Sequence, residues 1–524
     1  MNTKVAERIW ARDASLWKSD AESVKSINNS LGWLTVADEM IGITDQLTEF
    51  AESIRAQGFQ HVMVCGMGGS SLCPEVLART FGRQGGYPEL LVLDSTDPDV
   101  IVAFKEQIDV ERCLFIIASK SGSTTEPNVF QKFWYEEVHK RRENPGGNFV
   151  AITDPGSPLV DTASELKFQR TFLNQSDIGG RYSALSYFGM VPAALMGLDV
   201  RRLLDRARQA ETSQDDELQL GMMMGECAND GRDKLTLVLD PSLATLGLWI
   251  EQLIAESTGK EGKGILPVNG ESLGGPEVYG NDRLFVSITL GALANETKSK
   301  LEALAAAGHP IVYRRVENLY DLGAEFFAWE FATAVAGWRL GINPFDQPNV
   351  QEAKDATKEL LSSFERRGRL DERDTIAADD LDAIHAHLST VKPGDYIAFL
   401  NYIEETPAID QKFQEIRTAL RDTTKCAVTI GYGPRFLHST GQLHKGGPDT
   451  GVFFQIIAND QEDFAIPGEP YTFSILKQAQ ALGDFRALAK RGRRVIAINF
   501  GDDTLGALDS ISAALGGPLR SLRL

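Results

Sequence analysis

Two short segments of this chain concentrate residue types that bind an anion. The first, Gly66-Met67-Gly68-Gly69-Ser70-Ser71, directly follows the apolar run HVMVC. Glycines in such a turn let the backbone approach a ligand closely, and a helix starting after them directs its unpaired N–H groups at that ligand. A glycine cluster alone is equally compatible with a tight strand–helix turn. The candidate ligand contacts in this turn are Gly69 and Ser70.

The second segment is richer in side-chain donors. Residues 119–127 read SKSGSTTEP and follow the apolar run CLFIIA, and six of the nine are hydroxyl residues or lysine. A phosphate group accepts many hydrogen bonds within one turn, whereas capping a helix needs only one hydroxyl. We therefore expect this loop to bind a phosphate group. The candidate contacts are Ser119, Lys120, Ser121, Ser123 and Thr124.

The elements that position these loops follow a regular alternation. Apolar runs such as HVMVCG, ELLVLDS, CLFIIAS and NFVAITD are each followed by a glycine- or serine-rich turn, and mostly by a helical segment. The same rhythm returns in LTLVLD, RLFVSITL and HPIVYRRV, and again in DYIAFLNYI, KCAVTIGYG, GVFFQIIA and RRVIAINFG. Short buried strands alternating with helices predict an α/β fold, with parallel sheets flanked by helices. Ligands of such sheets bind at the carboxyl ends of the strands, where both loops lie.

The alternation divides the chain into several lobes, as its length of 524 residues also indicates. A tryptophan-rich arm is expected over residues 1–37, followed by a first lobe over 38–215 that closes with a helix from about Tyr182 to Leu195. A second lobe follows over 216–366. A C-terminal lobe occupies 367–524, and its first residues, 367–390, are charged and predicted to be a surface connection.

Composition limits the partners and the compartment. The 53 basic and 73 acidic residues give a net charge of −20, which disfavours nucleic acid as a partner and requires local positive charge wherever an anion binds. No run approaches 18 consecutive apolar residues, so no membrane partner is expected. The five cysteines are widely spaced and the first residues are charged, so the sequence favours a cytoplasmic protein without a metal site.

Four motifs resemble the phosphoglucose isomerases of the sugar-isomerase domain superfamily. They are the GxGGS turn, the SKSGSTTE loop, the run DIGGRYS at 177–183 and the run INPFDQPNVQEAK at 342–354. The run GKEGKGILP resembles the short bacterial members. As a whole the chain resembles the isomerase half of bacterial transaldolase/phosphoglucose isomerase fusion proteins. The resemblance implies sugar-isomerase-type lobes and, as activity, reversible isomerisation of glucose 6-phosphate and fructose 6-phosphate in glycolysis and gluconeogenesis.

The resemblance also implies roles for individual residues. Glu256 matches the base that carries a proton between C1 and C2, and Arg181 matches the cation that stabilises the enediolate. Lys354, expected at the end of a helical segment that includes NPFDQ, matches a lysine acting in ring opening. Without the family, Glu256 reads as a solvated glutamate and Lys354 as an ordinary helix-face lysine. Arg181 could merely pair with Asp177, but the glycines that precede it favour the functional role.

The family's histidine is the main departure from the pattern. It ordinarily lies between the glutamate and the lysine, where this chain has only His309, without matching flanks. The run LHSTGQ, which contains His438, resembles the family motif but follows Lys354. His444, six residues further on, is the alternative.

The resemblance implies a sugar phosphate as substrate and neither cofactor nor metal, because moving a proton requires neither. A homodimer is one of the assemblies that the family allows. Two other functions stay open: a non-catalytic sugar-phosphate regulator, and an isomerase that prefers a different sugar phosphate.

Overall fold

Three separate parallel β-sheets organise the chain in a computed structural model that describes residues 3–212 and 215–516. Each sheet has helices packed against it, so the α/β class predicted from the alternating pattern is confirmed. Every run named above forms a strand. The central strands, such as β3, are buried on both faces and therefore apolar along their whole length, whereas the edge strand β9 is partly exposed and includes polar residues. Among the described residues, no helix combines the length and the apolar character needed to cross a membrane.

The N-terminal arm is helical and packs on a buried helix from the middle of the chain. The indole N–H of Trp17 donates to the carbonyl of Ala334 at 2.8 Å, and the ring of Trp33 lies 5.4 Å from that of Tyr182. The helical segment 36–56 is interrupted near Gly42, giving two helices. The helices of this region are α1 (Thr3–Trp10), α2 (Ala21–Asn28), α3 (Val36–Ile41) and α4 (Thr44–Ala56).

The first lobe contains a five-stranded sheet of order β2-β1-β3-β4-β5. Its strands are β1 (His61–Cys65), β2 (Glu89–Leu93), β3 (Cys113–Ala118), β4 (Phe149–Thr153) and β5 (Arg170–Leu173). Its helices are α5 (Leu72–Phe81), α6 (Pro98–Gln107), α7 (Thr125–His139), α8 (Pro158–Glu165) and α9 (Tyr187–Leu195). The final helix therefore begins five residues later than predicted, because Gly180–Tyr182 form a short 3-10 turn and Ser186 caps α9.

The second lobe has a four-stranded parallel sheet of order β7-β6-β8-β9. The strands are β6 (Lys234–Leu239), β7 (Leu266–Val268), β8 (Arg283–Leu290) and β9 (Ile311–Val316). The helices are α10 (Val200–Glu211), α11 (Asp215–Asn229), α12 (Leu246–Thr258), α13 (Asn295–Ala306), α14 (Leu322–Leu340) and α15 (Val350–Arg367). Helix α14 is apolar on nearly all sides and packs against α10, α11 and α12, as expected of a buried helix.

The third lobe has a five-stranded parallel sheet of order β10-β14-β13-β11-β12. The strands are β10 (Ile376–Ala377), β11 (Tyr396–Tyr402), β12 (Ala427–Tyr432), β13 (Gly451–Ile457) and β14 (Arg494–Asn499). The helices are α16 (Leu381–Leu388), α17 (Pro407–Thr424), α18 (Gly441–Gly446), α19 (Phe473–Lys490) and α20 (Thr504–Gly516). Helix α15, which precedes this lobe in the chain, packs along α19.

Two local predictions were wrong. The stretch 367–390 is more than a connection, because it contains β10 and α16, and Ile384 and Leu388 of α16 are buried in the third lobe. The NPFDQ run is not helical: α15 begins at Val350, so Lys354 lies in the second turn of that helix. In both places few large apolar residues mark where a helix or strand begins, and the residues against which that element packs lie far away in the sequence.

Candidate active site

A cavity of about 410 Å³ opens where the carboxyl ends of β1 and β3 meet the second and third lobes. Ten of the eleven site residues selected from the sequence line it: Gly69, Ser70, Ser119, Lys120, Ser121, Thr124, Arg181, Glu256, Lys354 and His438. The eleventh, Ser123, lines an adjoining cavity of about 300 Å³ that shares Ser121, Thr124, Lys354 and His438 with the first. The structure therefore brings residues from all three lobes to one place.

The glycine turn after β1 allows two other segments to approach the cavity closely. A Cβ atom on Gly69 would lie 1.8 Å from the carbonyl oxygen of Gly180, so the turn preceding Arg181 packs directly on this backbone. Gly68 has a φ of +57°, and a Cβ atom there would lie 2.6 Å from Nε2 of Gln252. Glycine is required at both positions, at Gly69 by contact and at Gly68 also by its backbone conformation.

The hydroxyl-rich loop after β3 surrounds the N-terminus of α7. Ser121 and Ser123 have their hydroxyl oxygens 3.0 Å apart, and Ser119 donates to Thr124 at 3.3 Å. The Thr124 side chain makes no capping hydrogen bond to α7, so the positive end of the helix dipole lies uncapped beside these hydroxyls. The Lys120 ammonium is held by Asp154 at 2.7 Å. Hydroxyls and a helix N-terminus together form an environment suited to a phosphate group.

Glu256 lies in the last turn of α12 and is buried, with 8% of its surface exposed. Its Oε2 lies 3.3 Å from Nε2 of Gln252, one turn earlier on the same helix, and its Oε1 lies 3.7 Å from Nη1 of Arg181. The carboxylate thus faces the cavity beside a fixed cation. It is not the solvated glutamate that the sequence alone favoured.

Arg181 is buried and its guanidinium is held on every side. Nε donates to Ser257 at 2.7 Å, Nη1 to Gln347 at 2.9 Å, and Nη2 to the carbonyl oxygens of Pro344 and Asp346 at 2.7 and 3.0 Å. These contacts fix a positive charge at the cavity wall. Asp177, the alternative partner, instead lies 3.8 Å from Arg12.

Lys260 adds a second buried cation behind this wall. Its ammonium donates to the Asp346 carboxylate at 2.7 Å. Burial and the nearby Arg181 charge lower the pKa of Lys260 to about 8, against the opposing effect of Asp346. The lysine thereby fixes the Asp346 backbone, whose carbonyl oxygen accepts from Arg181.

His438 enters the cavity from the third lobe and meets a buried carboxylate of the first lobe. Its Nε2 lies 3.2 Å from Oε1 of Glu126, which also accepts from Nε2 of Gln480 at 2.6 Å. Burial raises the pKa of Glu126, but the charge and hydrogen bond of His438, together with Lys354, bring it below its ordinary value overall. A histidine oriented by a carboxylate is an arrangement suited to proton transfer.

The other two candidate histidines lie elsewhere. His444 is buried in the third lobe, with Nδ1 2.9 Å from the Tyr396 hydroxyl, and burial holds its pKa well below the ordinary value. His309 packs in the second lobe against the ring of Phe285. Neither residue lines the cavity.

Sequence reasoning missed three residues that shape the site: Glu126, Gln252 and Gln347. Glu126 ends the SKSGSTTE motif, and Gln347 lies within INPFDQP, so both were inside quoted motifs. Gln252 lies one helical turn before Glu256, which was the available signal. Their contacts involve partners as far as 354 positions away along the chain, which no local pattern reveals.

One acidic group in the described part of the chain has carboxylate oxygens close enough together to hold a metal ion. Asp97, Asp99 and Asp460 have oxygens within 4.8 Å of one another. Lys477 already forms ion pairs with Asp97, at 2.9 Å, and with Asp460. Its ammonium supplies the positive charge there.

Comparison with known proteins finds a matching family model, similar sequences and similar folds. Residues 27–266 match the family model described as phosphoglucose isomerase. The glucose-6-phosphate isomerase of Leptospira biflexa serovar Patoc is 26% identical over 399 residues, covering 65% of this chain and 88% of that protein. Two solved structures share the fold. A hypothetical protein from Thermus thermophilus has a TM-score of 0.61 at 22% identity, covering 69% of this chain and 94% of that one. A glucose-6-phosphate isomerase from Chlamydia trachomatis has a TM-score of 0.53 at 20% identity, covering 69% and 78%.

Proposed function

We propose that this chain, whose residues 27–266 belong to the phosphoglucose isomerase family, interconverts glucose 6-phosphate and fructose 6-phosphate. The observation that carries the proposal is one cavity in which Glu256 and Arg181 lie 3.7 Å apart and which the hydroxyl-rich loop, His438 and Lys354 also line. Aldose–ketose isomerisation requires a phosphate anchor, a ring-opening acid and base, a carboxylate for the carbon-bound proton and a cation for the enediolate. Each requirement has a candidate residue here.

Binding of the sugar phosphate falls to the first lobe. Ser119, Ser121 and Thr124 present hydroxyls, and the N-terminus of α7 contributes a partial positive charge. Such local donors are needed because the protein as a whole is strongly acidic and repels an anion at long range.

His438 and Lys354 are the residues that carry out ring opening. The step moves a proton from the hydroxyl on C1 of the cyclic aldose to the ring oxygen O5 as the C1–O5 bond breaks. Glu126 accepts a hydrogen bond from His438 and therefore fixes the orientation of the imidazole ring. We assign Glu126 as a positioning residue that acts through His438.

Proton transfer between carbons falls to Glu256. The carboxylate removes the C2 proton of the open-chain aldose, leaving an enediolate with its negative charge on O1. The hydroxyl proton on O2 passes to O1, and the protonated Glu256 returns its proton to C1 to give the ketose. Arg181 stabilises the negative oxygen that develops between these steps, because a rigidly held cation in a buried site needs little reorganisation during the reaction. Gln347 and Ser257 hold the guanidinium in place.

The test of this function is turnover by the purified chain. We expect conversion of fructose 6-phosphate to glucose 6-phosphate, followed through a coupled dehydrogenase that oxidises the product. Parallel assays with mannose 6-phosphate and glucosamine 6-phosphate show which sugar phosphate the protein converts fastest. Binding of sugar phosphates without turnover of any of them would contradict the proposal and favour a non-catalytic regulator.

The phosphate loop is expected to determine affinity. The double variant Ser121→Ala/Thr124→Ala removes two hydroxyls that contact the phosphate equally in the ground and transition states. KM should therefore rise about 100-fold, since a hydrogen bond to a charged group contributes about 1.5 kcal/mol or more, while kcat changes little. Ser164→Ala, on the exposed side of α8, is the control. An unchanged KM in the double variant would exclude the loop from the substrate site.

A further inference from the structure

The loop that follows β2, residues 94–97, lies beside the candidate active site and contacts the third lobe. Asp94 begins this loop and is 3% exposed. Its Oδ2 accepts from the Ser71 hydroxyl at 3.0 Å and from Nε of Arg435 at 2.9 Å, and its Oδ1 accepts from Nη2 of Arg435 at 2.9 Å. A bidentate pair of this kind fixes the orientation of both groups as well as their separation.

The two partners of Asp94 belong to turns that line the cavity. Ser71 directly follows the Gly68–Ser70 turn, against which the carbonyl of His438 packs. Arg435 begins the short 3-10 turn that ends at His438. Asp94 therefore joins the glycine turn of the first lobe to the histidine turn of the third.

Two neighbouring carboxylates keep the Arg435 guanidinium positively charged. Burial alone would lower the pKa of Arg435, but the neighbouring Asp94 and Glu405 raise it overall. Glu405 lies 3.4 Å from Nη1 and takes up the side of the guanidinium that Asp94 leaves free. The ion pair persists wherever Asp94 is ionised.

The same loop also reaches the other member of the histidine–carboxylate pair. The Thr96 hydroxyl donates to Oε1 of Gln480 at 2.7 Å. With its oxygen occupied in this way, the Gln480 amide presents Nε2 to Glu126 at 2.6 Å. Thr96 thus determines which end of the amide faces the carboxylate.

We propose that Asp94 is a positioning residue for ring opening: through Arg435 it holds His438 against Glu126, while Thr96 and Gln480 hold Glu126 in place. This inference rests on the proposed function. His438 and Glu126 come from different lobes, so their 3.2 Å separation depends on how the lobes are aligned. A displacement of about 1 Å in such a group costs up to about 100-fold in rate.

The decisive variant is Asp94→Asn. Asparagine keeps the size of the side chain and one acceptor oxygen, but it loses the charge and cannot accept from both Arg435 donors. We expect kcat on cyclic fructose 6-phosphate to fall about 10- to 100-fold. Exchange of the C1 protons of 5-deoxyfructose 6-phosphate should change less than about twofold, because this sugar lacks the hydroxyl that closes the ring and needs no opening.

A second comparison separates positioning from general destabilisation. In a His438→Ala background, Asp94→Asn should have no further effect on the cyclic substrate, because its only route to the chemistry has been removed. Asp99→Asn is the matched control: Asp99 lies in the first turn of α6, directly after this loop, and contacts the third lobe at the backbone N–H of Gln461, away from both members of the pair. Its kcat should equal that of the unaltered protein.

Equal slowing of both sugars by Asp94→Asn, or the same loss in Asp99→Asn, would overturn the proposal. If Asp94→Asn does not fold, Arg435→Lys replaces it, since lysine keeps the charge but cannot form the bidentate contact. Failure of the proposed function is recognised separately, by an unaltered protein that turns over no sugar phosphate. In that case the ring ¹⁵N resonances of His438, assigned by their absence in His438→Ala, still test positioning. They should shift in Asp94→Asn and stay unchanged in Asp99→Asn, and the reverse pattern would overturn the proposal.

Discussion

Replacing Glu256 with glutamine is expected to abolish exchange of the C2 proton of glucose 6-phosphate with solvent. Glutamine has nearly the same shape as glutamate and can keep the contact with Gln252, but its amide cannot accept a proton from carbon. Loss of a positioned general base typically costs about 10²–10⁴-fold in rate. We therefore expect kcat to fall by at least that range in both directions of the reaction. The exchange is measured by proton NMR in deuterated water.

The same variant should fail equally on a sugar that is already open. With 5-deoxyfructose 6-phosphate, Glu256→Gln should lose exchange of the C1 protons as completely as it loses turnover of the cyclic sugar, because the carbon-bound proton must move in both. Glu302→Gln, on the exposed face of α13, is the control for charge removal. Exchange within about tenfold of the unaltered rate in Glu256→Gln would mean that another group is the base.

Much of the fold follows from local sequence. The buried strand β3 is a continuous apolar run, and α14 ends where Gly341 adopts a φ of +72°, a conformation that glycine favours at helix ends. The loops at the carboxyl ends of β1 and β3 were selected because glycine and hydroxyl clusters are unusual after apolar runs, and both line the cavity. Local composition is therefore sufficient to place a binding loop on its sheet.

What the sequence could not provide is the set of contacts between lobes. Glu126 meets His438 and Gln480 across separations of 312 and 354 residues, and Asp94 meets Arg435 across 341. Such pairs depend on how three separately formed sheets dock, and that docking is determined by buried surface and complementary charge at all positions together. The short strand β10 escaped detection for a related reason: two residues carry no periodic pattern.

The two candidate histidines show, within a single motif, that local sequence does not reveal which side chain reaches the cavity. LHSTGQLHKGG contains both His438 and His444, and family resemblance favoured the first without excluding the second. In the structure, helix α18 carries His444 into the third-lobe core, while the preceding 3-10 turn presents His438 to the cavity. The two residues therefore differ in environment although they are six positions apart.

Replacing His438 with alanine is expected to impair ring opening and to spare proton transfer between carbons. On cyclic glucose 6-phosphate and fructose 6-phosphate, kcat should fall about 100-fold or more, the lower end of the effect of a proton-transferring side chain. On 5-deoxyfructose 6-phosphate, exchange of the C1 protons should stay within about threefold of the unaltered rate, because Glu256 and Arg181 are intact. Both rates are measured in one preparation, and the loss of turnover on the cyclic sugar is divided by the loss of C1-proton exchange on 5-deoxyfructose 6-phosphate. This ratio does not depend on the fraction of active protein.

The matched variants make this ratio diagnostic. His139→Ala, at the exposed end of α7, should leave both rates unchanged. His444→Ala removes a buried ring that stacks on Tyr396, so it should lower the melting temperature while leaving the ratio of the two rates at the unaltered value. If His438→Ala is fully active on the cyclic sugars while His444→Ala changes the ratio, the assignment of the histidine is wrong. If neither changes it, ring opening proceeds without the third lobe, and Lys354 becomes the group to replace.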